Sequence, residues 1–169
     1  MSGKRVLVVD AGGRGNAIAH AFARSKDVKT VYVAPGNAGS EMMEKCRLAT
    51  MQGKTPKTIP ELLAFAKREL IDLTFVGPEG YLSEGIVNIF QEEGQRILGP
   101  LKEAAILENS KCTTKDLLKS LRVSVPLCQN FADPDAAKEY ASQYCTENPG
   151  RGLVVKADGL AAGKGTIVC

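Results

Sequence analysis

Val154-Val155-Lys156-Ala157-Asp158-Gly159-Leu160-Ala161-Ala162-Gly163-Lys164-Gly165 brings two lysines, an aspartate and three glycines into one short stretch. Glycine lets backbone N–H groups approach oxyanions closely and adopt positive φ, and lysine adds a compact point charge for the same oxygens. The chemistry is that of a loop folded over phosphates. It is not a P-loop, which reads G-x-x-x-x-G-K-[ST]: three residues separate Gly159 from Gly163, and Gly165 stands where a Ser or Thr would hold Mg²⁺. No helix follows, because Thr166, Ile167, Val168 and Cys169 read as a strand, so the prediction is two antiparallel strands joined by a glycine flap. A surface hairpin with a glycine-rich turn is the alternative that the residues leave open.

Three further turns carry groups suited to a small anion. Asp10-Ala11-Gly12-Gly13-Arg14-Gly15-Asn16, Pro35-Gly36-Asn37-Ala38-Gly39 and Gly77-Pro78-Glu79 each follow an apolar run. Any one of them could be a tight turn and nothing more. If the runs are parallel strands, however, the turns share one rim of the sheet and set a cation, an amide and a carboxylate around one crevice. That suits a sugar phosphate, with Arg14 and the amides of Gly12 and Gly13 on the phosphate. Asn37 or Glu79 would take hydroxyls or an amine, and Gly36, Gly77 and Pro78 belong to the same candidate set. A dinucleotide fits poorly: Asp10 replaces the first glycine of G-x-G-x-x-G, where its carboxylate would face a pyrophosphate, and Val33-Ala34-Pro35 offers no acidic residue to a ribose.

The elements that must position these turns are legible. Arg5-Val6-Leu7-Val8-Val9 is a continuous apolar run, as in a parallel strand covered on both faces. A small-residue helix from Ala17 to Ser25 follows, then a strand Thr30–Ala34. Thr58 and Glu61 have capping-box spacing at the start of a helix whose buried stripe is Leu62, Leu63, Phe65 and Ala66. Ile71–Val76 is a third strand, Ser83–Glu93 a helix and Arg96–Leu98 a short fourth strand. This alternation predicts an α/β fold with a doubly wound parallel sheet. After Gly99-Pro100 the pattern changes: Leu101–Leu121 reads as helical with Lys111, Lys115 and Lys119 at i, i+4 and i+8, and Asp133 caps a helix reaching about Tyr144. The division predicted is a first domain at 1–102 and the start of a second at 103–169, too small to bury much core.

Composition narrows the classes. The net charge is 22 − 19 = +3, dispersed along the chain, and aromatic residues are 5% with no Trp, which argues against a nucleic-acid surface. Five cysteines without a C-x-x-C pair and a single histidine argue against a zinc site and a disulfide framework, so a reducing, cytoplasmic setting is expected. His20 lies in the Ala-rich helix with no acid or nucleophile at helical spacing, which favours a packed or surface role. No apolar run approaches the ~20 residues of a membrane span, and the run after Met1-Ser2-Gly3-Lys4 is too short for a signal sequence.

Taken in order, VLVV-x-x-GGR, VAPGNAG, IDLTFVGPE, GP, E-x-SK-x-x-TK and VVKADGLAAGKG resemble the amino-terminal part of the glycinamide ribonucleotide synthetase (phosphoribosylamine–glycine ligase) family of the ATP-grasp superfamily, along essentially the whole chain. The resemblance implies a parallel, doubly wound, Rossmann-like preATP-grasp domain followed by an incomplete ATP-grasp domain. It implies an ATP-dependent ligase of purine biosynthesis that activates glycine as an acyl phosphate, which the amine of 5-phosphoribosylamine attacks. The partners are then 5-phosphoribosylamine, glycine and ATP, with no nucleic acid or membrane, and a monomer is expected. By the same resemblance Lys111 and Lys156 contact ATP phosphates, and Asp158, Gly159, Leu160, Gly163, Lys164 and Gly165 belong to a mobile flap over the γ-phosphate. Mg²⁺ is implied as well. Its ligands, the adenine-binding segment and the glycine site are expected in the further part of longer family members, so no metal ligand and no catalytic residue is assigned here, and the isolated chain is expected to be inactive. The family's first loop normally reads G-x-G-G-R-E-H, whereas here Asp10 stands at the first glycine and Gly15-Asn16 replace Glu-His. A non-catalytic sugar-phosphate-binding module and another ATP-grasp ligase are the alternative readings, with a nicotinamide-dependent Rossmann protein behind them.

Overall fold

The computed structural model describes residues 3–161 and 163–169; Met1 and Ser2, at the predicted lead-in to the first strand, and Ala162, within the predicted flap, lie outside the described residues. Strand β1, Lys4–Asp10, is buried from Val6 to Asp10, as its unbroken apolar run requires of a strand with neighbours on both sides. It pairs in parallel with β2, Val28–Pro35, on one side and with β4, Leu73–Val76, on the other. Beyond these lie β3, Cys46–Leu48, reached through the short helix α2, Ala38–Glu41, and β5, Ile97–Leu98, giving the order β3-β2-β1-β4-β5.

The order reverses between β1 and β4. This is the switch point at which loops diverge at the carboxyl ends of parallel strands and leave a crevice.

Alternate residues of β1 feed two cores. Val6 and Val8 pack with Ala19 and Ala23 of helix α1, Gly13–Ala23, while Leu7 and Val9 pack with Leu62 and Phe65 of α3, Ile59–Arg68, and with Val87 and Phe90 of α5, Ile86–Glu92. The buried line of α1 is Gly15, Ala19 and Ala23, at spacing four, so the helix backbone lies close to the sheet. Helix α3 opens as its sequence indicates, with Thr58 Oγ1 accepting from Glu61 N–H and the Glu61 carboxylate accepting from Thr58 N–H.

Several expectations are corrected. Helix α1 begins at Gly13 rather than Ala17, so Gly13, Arg14 and Gly15 form its first turn. Strand β3 was not foreseen, because Cys-Arg-Leu is too short to show a period. Where one helix is expected over Ser83–Glu93 there are two, α5, which starts only at Ile86, and before it α4, Glu79–Ser83, in place of the expected turn, parted at Gly85, whose φ of +88° is left-handed. The long helix expected over Leu101–Leu121 is likewise two, α6, Lys102–Asn109, and α7, Lys111–Ser120, with Ser110 as the cap between them.

Contacts divide the chain into two compact units, Met1–Ala105 and Ile106–Cys169. The second holds α7, then α8, Pro134–Glu147, capped by Asp133, and an antiparallel pair, β6, Val154–Lys156, with β7, Thr166–Val168. None of these four elements contains a buried residue. Among the described residues, no helix is long and apolar enough to cross a membrane.

Two stability effects follow from the first unit. Thr74 of β4 is buried, lies in register with Leu7 and therefore faces the α3/α5 core, where its Oγ1 finds no hydrogen-bond partner among the described residues. Thr74→Val keeps the shape and removes an unsatisfied hydroxyl, so it is expected to raise unfolding free energy by about 1 kcal/mol in urea titrations. Asp72, just before β4, accepts from the N–H of Arg5 at 2.8 Å and from Lys4 Nζ at 3.0 Å, tying the starts of β1 and β4 together. Those bonds, the Arg5 N–H foremost, hold its carboxyl below the ordinary carboxylate range. With the folded value depressed, this contribution is complete above the unfolded value of about 4 and is lost as pH falls through the folded one. The urea midpoint of Asp72→Asn is expected to be lower than wild type at pH 7 and to approach it as the pH falls below the folded value.

Candidate functional site

At the carboxyl edge of the sheet, β1 ends on Asp10. Its side chain is only 6% exposed; Oδ1 accepts from Gly12 N–H at 2.7 Å and Oδ2 from Arg14 Nε at 3.1 Å. Arg14, 51% exposed, also donates from Nη1 to Glu79 Oε1 at 3.0 Å, and Glu79, 43% exposed, opens α4 directly after Gly77-Pro78. The guanidinium thus joins the turn after β1 to the turn after β4. Hydrogen bonds to Glu79 and then Asp10 raise the Arg14 pKa further, while Glu79's own backbone N–H and then Arg14 hold the Glu79 carboxyl below its ordinary range.

The turn after β2 is tied in by amides. Asn37 Nδ2 donates to the Ala11 carbonyl at 2.9 Å, and its Oδ1 accepts from Asn16 Nδ2 at 3.0 Å and from Gly39 N–H at 2.9 Å. Ser40 Oγ donates to Asn16 Oδ1 at 2.8 Å. Gly36 has φ of +67°, a left-handed conformation that calls for glycine.

The structure therefore brings Arg14, Asn37 and Glu79, and the glycines around them, to one rim. The paired side chains sum to +1 − 1 − 1 = −1, so positive potential toward a phosphate comes from α1, whose cap, Gly12, places no side chain on the first-turn N–H groups. An added Cβ at Gly13 would meet nothing within 4 Å, which leaves that turn open to close approach. Asp10 corrects one expectation: its carboxylate turns inward onto Arg14 instead of facing the rim. A cavity of about 440 Å³ opens beside Pro78, between Lys57–Pro60 at the start of α3 and Tyr81 and Glu84.

In the second unit the glycine flap rises from the β6–β7 pair. Ala157 N–H donates to the Gly165 carbonyl at 2.7 Å, extending the ladder beyond Lys156 and Thr166, and Gly159 (φ +99°) and Gly163 (φ +78°) take left-handed turns. The base of the flap is pinned to the start of α7. Asp158 accepts from Cys112 N–H at 3.1 Å and from the Ser110 hydroxyl at 3.0 Å, and Lys111 Nζ donates to the Gly159 carbonyl at 2.8 Å. The Cys112 N–H is the main reason the Asp158 carboxyl lies below its ordinary range. Lys156, Leu160 and Lys164 stand exposed.

The profile of the phosphoribosylglycinamide synthetase N domain matches residues 4–108, and that of the same synthetase's ATP-grasp (A) domain matches residues 109–169. The chain belongs to the phosphoribosylglycinamide synthetase family. It is 55% identical over 168 residues to a phosphoribosylamine–glycine ligase of Archaeoglobus fulgidus, covering 98% of this chain and 35% of that protein. The ligase of Escherichia coli K12 is 45% identical over 164 residues, covering 97% and 36%. The chain thus spans about a third of the length of these relatives. Among solved structures, a biotin carboxylase–ATP complex from Campylobacter jejuni superposes with a TM-score of 0.73 at 20% identity, over 98% of this chain and 38% of that one, which establishes the shared fold.

Four residues of the two clusters carry roles that the sequence reading does not assign. Asp10 was weighed only as an obstacle to pyrophosphate, although Asp-x-Gly at a strand end is the signature of a side chain that accepts from the N–H two residues on. Asn16 carries no local signal, since its partners Asn37 and Ser40 lie 21 and 24 residues away, whereas Ser40 closes a capping box with Asn37 at a three-residue spacing that is legible in the sequence. Ser110 was present in E-x-SK-x-x-TK, where its N-cap position could be read from the helix it precedes.

Proposed function

We propose that this chain provides the sugar-phosphate site and the first part of the nucleotide site of an ATP-dependent ligase. The reaction joins glycine to 5-phosphoribosylamine and yields glycinamide ribonucleotide, an early compound of purine biosynthesis. The observation that carries this reading is one chain holding both the synthetase's N domain, with its strand-end cluster, and the opening of its ATP-grasp domain, with its glycine flap. In the proposed division residues 1–102 bind substrate and residues 103–169 begin the ATP-grasp domain.

The phosphate of the sugar sits at the open first turn of α1, on the amide of Gly13 and on Arg14, with Gly12, whose own N–H is held by Asp10, shaping the turn. Glu79, Asn37, Gly36, Gly77 and Pro78 form the walls around the ribose and its amine. Lys111, Lys156 and Lys164 supply charge to the phosphates of ATP, and Asp158, Gly159, Leu160, Gly163 and Gly165 let backbone amides close over them. Mg²⁺ neutralises phosphate charge in such transfers. The one carboxylate of the flap, Asp158, is engaged by α7, and no step is assigned to the ion here. A cytoplasmic monomer acting on small molecules completes the proposal.

The test is calorimetry on the chain with ribose 5-phosphate and, separately, with ATP–Mg²⁺. Ribose 5-phosphate is expected to bind, and ATP–Mg²⁺ to bind weakly, because β6 and β7 are exposed throughout. A folded chain that gives no heat with ribose 5-phosphate would overturn the sugar-phosphate assignment.

A further inference from the structure

We propose that Asp10 is the positioning residue of the strand-end site: it fixes Arg14 for an anionic ligand, and positions 15 and 77 are glycine because the Asp10 side chain fills the space their side chains would need. This rests on the sugar-phosphate reading above.

Among the described residues Asp10 is the one carboxylate in the buried set. A buried carboxylate is costly unless it is paired and hydrogen-bonded, and both of its oxygens have partners, Gly12 N–H and Arg14 Nε. Its surroundings are built around it from two elements. A Cβ at Gly15, on α1, would stand 2.5 Å from Asp10 Cβ and 3.0 Å from Oδ1. A Cβ at Gly77, after β4, would overlap Oδ2 and lie 3.4 Å from Arg14 Nε. Neither glycine has a φ in the left-handed region, so space and not conformation demands them.

The two carboxylates on Arg14 then divide the work. Glu79 is reached from Nη1 and is half exposed, so an incoming phosphate can displace it. Asp10 is enclosed, stays on Nε and keeps the guanidinium plane in place when Glu79 leaves. The departure from G-x-G-G-R-E-H gains a physical meaning as well. A carboxylate carried on position 15 would begin in the volume that Asp10 occupies, so the chain holds the acid at position 10 and glycine at 15 as one exchange, not as two independent losses.

The test is a cycle of Asp10→Asn, Asp10→Gly, Gly15→Glu and the double variant Asp10→Gly/Gly15→Glu. It is read by ribose 5-phosphate calorimetry and by the Arg14 Nε–H signal in ¹⁵N NMR. In wild type the Nε–H is expected to be slow to exchange with solvent. Asp10→Asn preserves shape and the Gly12 bond, and it is expected to lose that protection and about tenfold in affinity. Gly15→Glu alone is expected to lose both readouts and lower the melting temperature. The double variant is expected to regain the protected signal and to bind within about threefold of wild type, since the acid returns by the other route. Unchanged protection and affinity in Asp10→Asn, or a double variant no better than the single variants combined, would overturn the proposal. If wild type does not bind ribose 5-phosphate, the sugar-phosphate reading fails by itself, and the NMR signal and melting temperatures of the same four variants still decide the role of Asp10.

Discussion

Arg14→Ala is expected to lower affinity for ribose 5-phosphate by about 100-fold and to reduce stability by about 2 kcal/mol. The first figure is the upper range for a charge-assisted hydrogen bond, roughly 3 kcal/mol, expressed as a dissociation constant. The second arises because Asp10, 6% exposed, loses the cation paired with it, while Arg14 is itself 51% exposed, so the loss falls short of that for a fully buried pair. Arg14→Lys separates charge from geometry. An ammonium restores the sign of the field but cannot offer fixed, divergent donors to Asp10 and Glu79 together, so it is expected to recover roughly half of the lost binding free energy. Calorimetry at two salt concentrations, with urea titrations of the same samples, measures both effects. Wild-type affinity in Arg14→Ala would remove this side chain from the site.

Gly77→Ala is expected to cost about 3 kcal/mol of stability and to weaken sugar-phosphate binding with it. The new methyl overlaps Asp10 Oδ2, and the carboxylate is held in place by Gly12 N–H and Arg14 Nε, so either those bonds or the strand end must give. Overpacking and disturbance of a buried ion pair both contribute. Gly80→Ala, three residues on, is the control. A Cβ there meets nothing within 4 Å and lies inside α4, so the change is expected to be neutral or slightly stabilising. Equal urea midpoints for the two variants would show that the crowding at Gly77 is relieved without consequence.

Much of the architecture was legible because its signals are local. The apolar run of β1 announces a strand with two covered faces, and the Thr58/Glu61 spacing announces the start of α3. Val154-Val155-Lys156 and Thr166-Ile167-Val168, separated by glycines, announce an antiparallel pair. The candidate residues on the rim and in the flap were named from the same evidence, since glycine, lysine and arginine at turns are few and chemically distinctive. What escaped was short or non-local. A three-residue β3 has no period to detect, and the break at Gly85 is decided by a backbone torsion that a helical pattern does not display.

By itself, then, the sequence determined the fold class, the family and the turns that carry chemistry, because periodicity, turn residues and motif order are properties of neighbours along the chain. Tertiary structure decided which carboxylate holds Arg14. Asp10 and Glu79 lie on either side of it at separations of 4 and 65 residues, and only the parallel pairing of β1 with β4 sets both against one guanidinium. It also decided why positions 15 and 77 are glycine, since the atoms that exclude a side chain there belong to Asp10, five residues from one and 67 from the other. Excluded volume depends on three-dimensional packing, which the spacing of residues along a chain does not record.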